Sequence, residues 1–161
     1  MVKIQKFIDT PSQTAGPFLH IGCTPRITGI NIFRSELGLT PFQDISDNEA
    51  INIKGKIYDG NEEPIIDAMI ETWQCDANGN YSSNQGFARI VTDFKTGEYQ
   101  LKTIRPGNKI NTDDSLSASY ITFWIVARGM NRPLITRMYF LENDLRNDLM
   151  LNSIKIEDRL N

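Results

Sequence analysis

The stretch from Tyr120 to Arg128 reads YITFWIVAR, and its density of β-branched and aromatic side chains suits a pleated, half-buried strand. Gly129 to Pro133 follows with turn chemistry, so Leu134 to Leu141 is expected to fold back as its hairpin partner. Working upstream, Ile51 to Tyr58 sets Ile51, Ile53, Gly55 and Ile57 against Asn52, Lys54, Lys56 and Tyr58, the period-2 pattern of a strand with one buried face. Asp59-Gly60-Asn61 is a turn, and a second strand is expected over Ile65 to Cys75. Asp76 to Tyr81 is a polar Asn/Gly loop, and Phe87 to Asp93 returns to a β-like pattern. Lys95-Thr96-Gly97-Glu98 is expected to close a hairpin onto Tyr99 to Ile104, which Pro106-Gly107 ends, and a polar loop runs on to Ser117. A helical stretch is expected only in the tail, Asn143 to Asn161, with weak capping residues. About six strands with turn signals every eight to twelve residues predict an all-β antiparallel sandwich. No alternation of strands and helices supports a parallel sheet.

Residues 1–50 show no sustained period and carry turn formers at Pro11, Gly16, Pro17, Gly22, Pro25, Gly29, Gly38 and Pro41. They read as an extended arm packed on a sandwich core of residues 51–161 or on a partner, within one domain of 161 residues overall. The formal net charge is −3 with both signs scattered and no basic run, which argues against nucleic-acid binding. No apolar stretch approaches the length of a membrane span. The opening residues, MVKIQKFIDT, lack an apolar core and a small-residue cleavage site, so a cytoplasmic protein is expected. Cys23 and Cys75 are too few for a disulfide scaffold and read as reduced, small apolar residues.

Several chemical motifs fall short. Asp76, Asn78 and Asn80 have the spacing that opens a calcium loop, but Tyr81 stands where such a loop needs glycine and Phe87 where it needs a bidentate glutamate. A solvated Asx-rich turn is the expected outcome. Asn80-Tyr81-Ser82 fits a glycosylation sequon that a cytoplasmic chain does not use. There is no Gly-rich phosphate loop. Cys23 lies near His20 with nothing to activate it, and Glu62-Glu63 and Asp113-Asp114 are sequence neighbours in loops rather than carboxylates held across a cleft. The single histidine, His20, reads as a hydrogen-bonded structural residue and cannot form a two-histidine metal site.

TPSQTAGPFLHIG from Thr10 to Gly22 and DGNEEPIIDAMIETWQCDANGNY from Asp59 to Tyr81 together resemble the intradiol ring-cleavage dioxygenases. FARIVTDFKTGEYQLKTIRPG (Phe87 to Gly107), FWIVARG (Phe123 to Gly129) and ITRMYF (Ile135 to Phe140) continue the resemblance in order along nearly the whole chain. It implies a β-sandwich, in agreement with the strand pattern. It also implies the branch of the family that pairs an alpha chain with a related beta chain and acts on protocatechuate and O2.

In that family two tyrosinates and two histidines hold Fe(III), the histidines two apart in His-Ile-His so that both point to one strand face. Here the matching positions read Tyr120-Ile121-Thr122. Asn108 and Lys109 follow Pro106-Gly107 where the family has a tyrosine, and the loop from Tyr81 to Phe87 is too short for the segment carrying the other. The resemblance therefore implies that this chain supplies no catalytic and no metal-binding residue, and that the beta subunit carries the Fe(III). It further implies that Thr14, Gly16, Pro17 and Arg128 help line the substrate pocket. Arginine suits a benzoate carboxylate through paired charge-assisted hydrogen bonds, glycine permits close approach, and proline fixes the turn. Phe18 departs from the tyrosine usual after Gly-Pro. The family continues into further strands beyond the TRxYF segment, so an exposed or partner-covered sheet edge is expected here. A non-catalytic β-sandwich binding or assembly module on the same scaffold is the competing expectation.

Overall fold

A computed structural model describes residues 13–35, 38–110, 116–140 and 148–158. Strand β1 (Ala50–Lys56) pairs antiparallel with β4 (Glu98–Ile104) as a two-stranded ribbon. The larger sheet is formed by β2 (Met69–Trp73), β3 (Phe87–Val91), β7 (Tyr120–Val126) and β8 (Leu134–Tyr139), in the order β3-β2-β7-β8 and antiparallel throughout. A further small ribbon joins β5 (Lys109–Ile110) to β6 (Leu116–Ser117). The core lies between the β1-β4 ribbon and the larger sheet. Ile70, Ile90, Ile121, Phe123 and Ile125 meet Leu101 there, with Ile53 and Tyr99 packed against them. Tyr99 closes on Phe123 edge-on, with ring centroids 6.1 Å apart. Its phenol also covers Gly55, where a Cβ would meet the Tyr99 hydroxyl at 2.6 Å. This is the antiparallel sandwich expected from the strand pattern.

The strand from Tyr120 and its hairpin partner fold as expected, with Tyr120 opposite Tyr139 and Thr122 opposite Arg137. The hairpin expected between Phe87–Asp93 and Tyr99–Ile104 does not form. The turn itself does: the Asp93 carboxylate accepts from the backbone N–H groups of Lys95 (2.9 Å) and Thr96 (2.8 Å), and Gly97 adopts φ +69°. Yet β3 pairs with β2 while β4 pairs with β1, so the turn is an arch from one sheet to the other. Turn chemistry alone fixes a reversal of direction; which strand is joined depends on burial of Ile90 and Leu101 on facing layers.

Two further differences concern helices. The N-terminal arm contains α1 (Pro17–Cys23), opened by Gly16 as N-cap and by a proline in its first turn, where a missing N–H costs nothing. The tail is helical over α2 (Leu149–Asn152), followed by a 3-10 turn (Ile156–Asp158). Its start is well capped, since the buried Asp148 carboxylate accepts from Leu151 N at 2.9 Å and from Ala118 N at 3.1 Å. Residues 153–155 of the expected helical tail are turn and irregular, and its residues 143–147 and 159–161 lie outside the described residues, as do Asp113 and Asp114. No helix among the described residues is long and apolar enough to cross a membrane.

Candidate functional site

Beyond β7 the alternation of faces persists. Ala127 stays in the core and Arg128 points out of it, at the mouth of a cleft against α1. Ala15 forms a parallel bridge with Arg128, and the Thr14 hydroxyl accepts from Gly129 N at 2.7 Å. Gly16 and Arg128 line the same cavity of about 410 Å³, walled by Leu19, Ile66 and Phe94 and bounded by Asp67. That volume and its apolar walls fall in the range of small-ligand sites, about 300–1,000 Å³.

Thr14, Gly16 and Arg128 are thus brought together, and Pro17 opens the helix beside them. Gly16 itself is extended (φ −139°), a conformation any residue adopts, and a Cβ there would touch nothing within 4 Å. Its own chain therefore gives no reason for a glycine. Phe18 is 84% exposed on the outer side of α1.

His20 docks α1 on the sandwich. The ring is buried, its Nε2 lies 3.0 Å from the Asp67 carbonyl oxygen, and it packs edge-on against Phe94. A carbonyl only accepts, so Nε2 carries the proton. This is the structural role expected of His20. The Asp67 carboxylate accepts from Arg128 Nε. Asp67 is a member of the site that the sequence reading missed; a single acid inside a strand-like run carries no signal of its own.

The other end of the same outward face presents a different cluster. Tyr120, Thr122 and Trp124 project there from β7, beside Arg137 and Tyr139 of β8. The Arg137 guanidinium lies 4.1 Å above the Tyr120 ring, and its Nη1 donates to the Tyr139 hydroxyl at 3.4 Å. The Tyr139 hydroxyl in turn approaches Asp148 at 3.4 Å. Tyr81 brings its hydroxyl to 3.5 Å from that of Tyr120 and stacks on Trp73 at 6.1 Å.

Burial opposes the charged guanidinium of Arg137. Its bond to the Tyr139 hydroxyl and its electrostatic interactions with Tyr120, Tyr139 and Asp148 outweigh burial, so its pKa stands above the ordinary arginine value. Burial, and then the bond to Tyr120, push the Tyr81 phenol well above the ordinary range. Burial likewise raises Tyr139. Both phenols are driven towards their neutral forms.

The Asp76 loop closes on itself as an Asx turn, as expected. Asp76 Oδ1 accepts from Asn78 N at 2.9 Å and from Asn80 N at 2.8 Å, the bonds that close such a turn. Neither Cys23 nor Cys75 forms a disulfide, and the buried Cys75 thiol donates to the Gly107 carbonyl oxygen at 3.4 Å. Among the described residues no three His, Cys, Asp or Glu side chains converge on one point.

An antiparallel sandwich with a small-ligand cleft at the end of a central strand is a ligand-binding scaffold whose fold alone does not fix its chemistry. The family profile described as Dioxygenase matches residues 35–160. The chain is 36% identical over 144 residues to the protocatechuate 3,4-dioxygenase alpha chain of Pseudomonas putida, an alignment covering 85% of this chain and 72% of that one. It is 30% identical to the alpha chain of the same name from Burkholderia cepacia, over 93% of this chain and 80% of that one. In fold it is similar to the solved 3-chlorocatechol 1,2-dioxygenase of Rhodococcus opacus, with a TM-score of 0.58, 22% identity, and 65% of this chain matched. It spans about half of that longer enzyme, 49%. The chain belongs to the intradiol ring-cleavage dioxygenase family, an oxidoreductase family, and within it is similar to alpha subunits.

Proposed function

We propose that this chain is the non-iron-binding alpha subunit of a cytoplasmic protocatechuate 3,4-dioxygenase, and that it furnishes part of the substrate pocket for a beta subunit that holds Fe(III). The reaction inserts both atoms of O2 across the bond between the two hydroxyl-bearing ring carbons, giving 3-carboxy-cis,cis-muconate. The two ends of β7 support this reading. At one end the family's ligand positions carry Tyr120 and Thr122 beside the Arg137 guanidinium, a cation already in residence over the Tyr120 ring and hydrogen-bonded to the Tyr139 hydroxyl. That set does not fit a ferric ion, and no chemical step is assigned to it. At the other end, eight residues further on and so roughly 26 Å away at about 3.3 Å per residue, the arm and Arg128 frame a cleft. A pocket so far from its own chain's ligand positions suits an iron supplied from outside.

Within this proposal residues 14–17 belong to the part of the arm that reaches the partner, and residues 51–161 form the core that holds it. The apolar wall of Leu19, Ile66 and Phe94 packs the aromatic ring, Arg128 takes the carboxylate, and Gly16 leaves room for atoms that are not the chain's own. Iron, when bound by the beta subunit, supplies the chelation of the catecholate and the reactivity towards O2.

Co-expression with a beta chain bearing a His-Ile-His strand tests the proposal. The expected outcome is a complex that contains iron and cleaves protocatechuate. In that complex Arg128→Ala should raise KM for protocatechuate about tenfold or more, the worth of a lost charge-assisted bond, with little change for unsubstituted catechol. A beta chain that assembles and turns over equally well alone would overturn the proposal in favour of a non-catalytic module. An equal effect of Arg128→Ala on both substrates would remove the carboxylate-binding role.

A further inference from the structure

Asp67 joins the two walls of the cleft. Its backbone carbonyl receives Nε2 of the buried His20, which anchors α1, and its carboxylate receives Nε of Arg128. The Asp67 side chain is 17% exposed and that of Arg128 is 68% exposed, so the acid is set into the wall and the arginine reaches out from it. A guanidinium offers two double-donor edges, one along Nε and a terminal nitrogen and one across both terminal nitrogens. Asp67 engages Nε alone. Among the described residues the terminal nitrogens have no partner.

From this geometry, and resting on the carboxylate-binding reading of Arg128, we infer that Asp67 is the positioning residue that gives the pocket its preference for carboxylated catechols. It holds the guanidinium by Nε and leaves the end-on edge, with its two parallel donors, to the substrate. The long arginine stem is ordered before substrate arrives, so less rotamer freedom is lost on binding. The acid also brings a negative charge near an anionic substrate. Arg128 is mostly in water, so that repulsion is screened while the orientation is not.

The test compares Asp67→Ala, Asp67→Asn and Arg128→Ala in the complex with the beta subunit, with KM and kcat measured for protocatechuate and for catechol. Asp67→Ala should raise KM for protocatechuate about five- to tenfold while kcat, and KM for catechol, stay within about twofold. Asp67→Asn keeps an oxygen that accepts from Nε and should recover most of the loss. Should the alanine variant not fold, Asp67→Ser, too short to reach Nε, is expected to show the same loss. Titration with 4-hydroxybenzoate against phenol should show the same pattern in Kd without turnover.

A fall in KM for protocatechuate on Asp67→Ala would show that the acid competes for the arginine, and would overturn the inference. So would an asparagine variant as impaired as alanine, or an equal rise for both substrates. If Arg128→Ala discriminates between the substrates and Asp67→Ala does not, this inference alone fails. If Arg128→Ala does not discriminate, the carboxylate reading beneath it fails as well.

Discussion

Replacing Arg137 with methionine tests whether the cluster around Tyr120 is held by a resident cation. Methionine preserves the length and much of the apolar stem but removes the charge and every donor. The guanidinium sits 4.1 Å over the Tyr120 ring and also donates to the Tyr139 hydroxyl. A cation over an aromatic face is worth about 0.5–1 kcal/mol in water and about 2 kcal/mol when desolvated. Arg137 is half-buried, which places its share near 1 kcal/mol. The long bond to Tyr139 adds up to about 1 kcal/mol, for a loss of about 2 kcal/mol in all. With a urea m-value of about 2–3 kcal/mol/M for a chain of this size, the unfolding midpoint should fall by about 0.7–1 M. A double-mutant cycle with Tyr120→Leu isolates the stacking and should return about 1 kcal/mol of coupling. Arg137→Lys should recover less than half of the loss, since an ammonium neither stacks flat nor keeps the planar fork. A midpoint unchanged by Arg137→Met, or a coupling indistinguishable from zero, would refute the idea that the guanidinium organises this cluster.

The two glycines at the ends of the described chemistry should behave oppositely. Gly16→Ala, extended and with open space around its Cβ, should leave stability within about 0.5 kcal/mol of the parent. The same change should impair protocatechuate turnover in the complex with the beta subunit, if the space belongs to a ligand or partner. Gly86→Ala should cost about 3 kcal/mol or more, because φ is +92° and its Cβ would meet the Gln74 carbonyl oxygen at 2.2 Å; thermal melts of the two variants distinguish them. High pH probes the buried phenols. Tyr81, Tyr99 and Tyr139 are all raised above their unfolded value of about 10, so the stability they contribute is complete below about pH 10 and is lost as the pH rises through their folded values. Urea midpoints should fall above about pH 10, with tyrosinate absorbance from these residues emerging only as the chain unfolds; native titration of every phenol near the free value would contradict the burial argument.

Strands were the most legible part of the sequence because a strand is a local pattern read out against one buried face. Ile53, Ile70, Ile90, Phe123 and Ile125 each sit at a period-2 position and each reaches the core or packs on it. The arch at Asp93–Gly97 was read as a hairpin because its local chemistry is the same in either case: an aspartate taking two N–H groups and a glycine at positive φ. What separates arch from hairpin is which layer Leu101 joins, and that is decided by its pairing with Ile53 of β1 and by the Ile70, Ile90 and Phe123 face across the sandwich rather than by any neighbour in sequence. Helix α1 escaped notice for a similar reason. Seven residues are too few to show a helical period, and its stability comes from His20 reaching Asp67, forty-seven positions away, rather than from its own propensity. The site followed the same division. Thr14, Gly16, Pro17 and Arg128 are candidates because they lie in short ordered motifs, whereas the contacts of Asp67 and Arg137 exist only across space. On the proposed reading, Tyr120 and Thr122 stand where the family's histidines are expected. The guanidinium lying over that position comes from the facing strand β8. A position with its ligands simply deleted could be refilled by restoring histidines. One already occupied by a cation would repel a metal ion even then, unless Arg137 were removed as well.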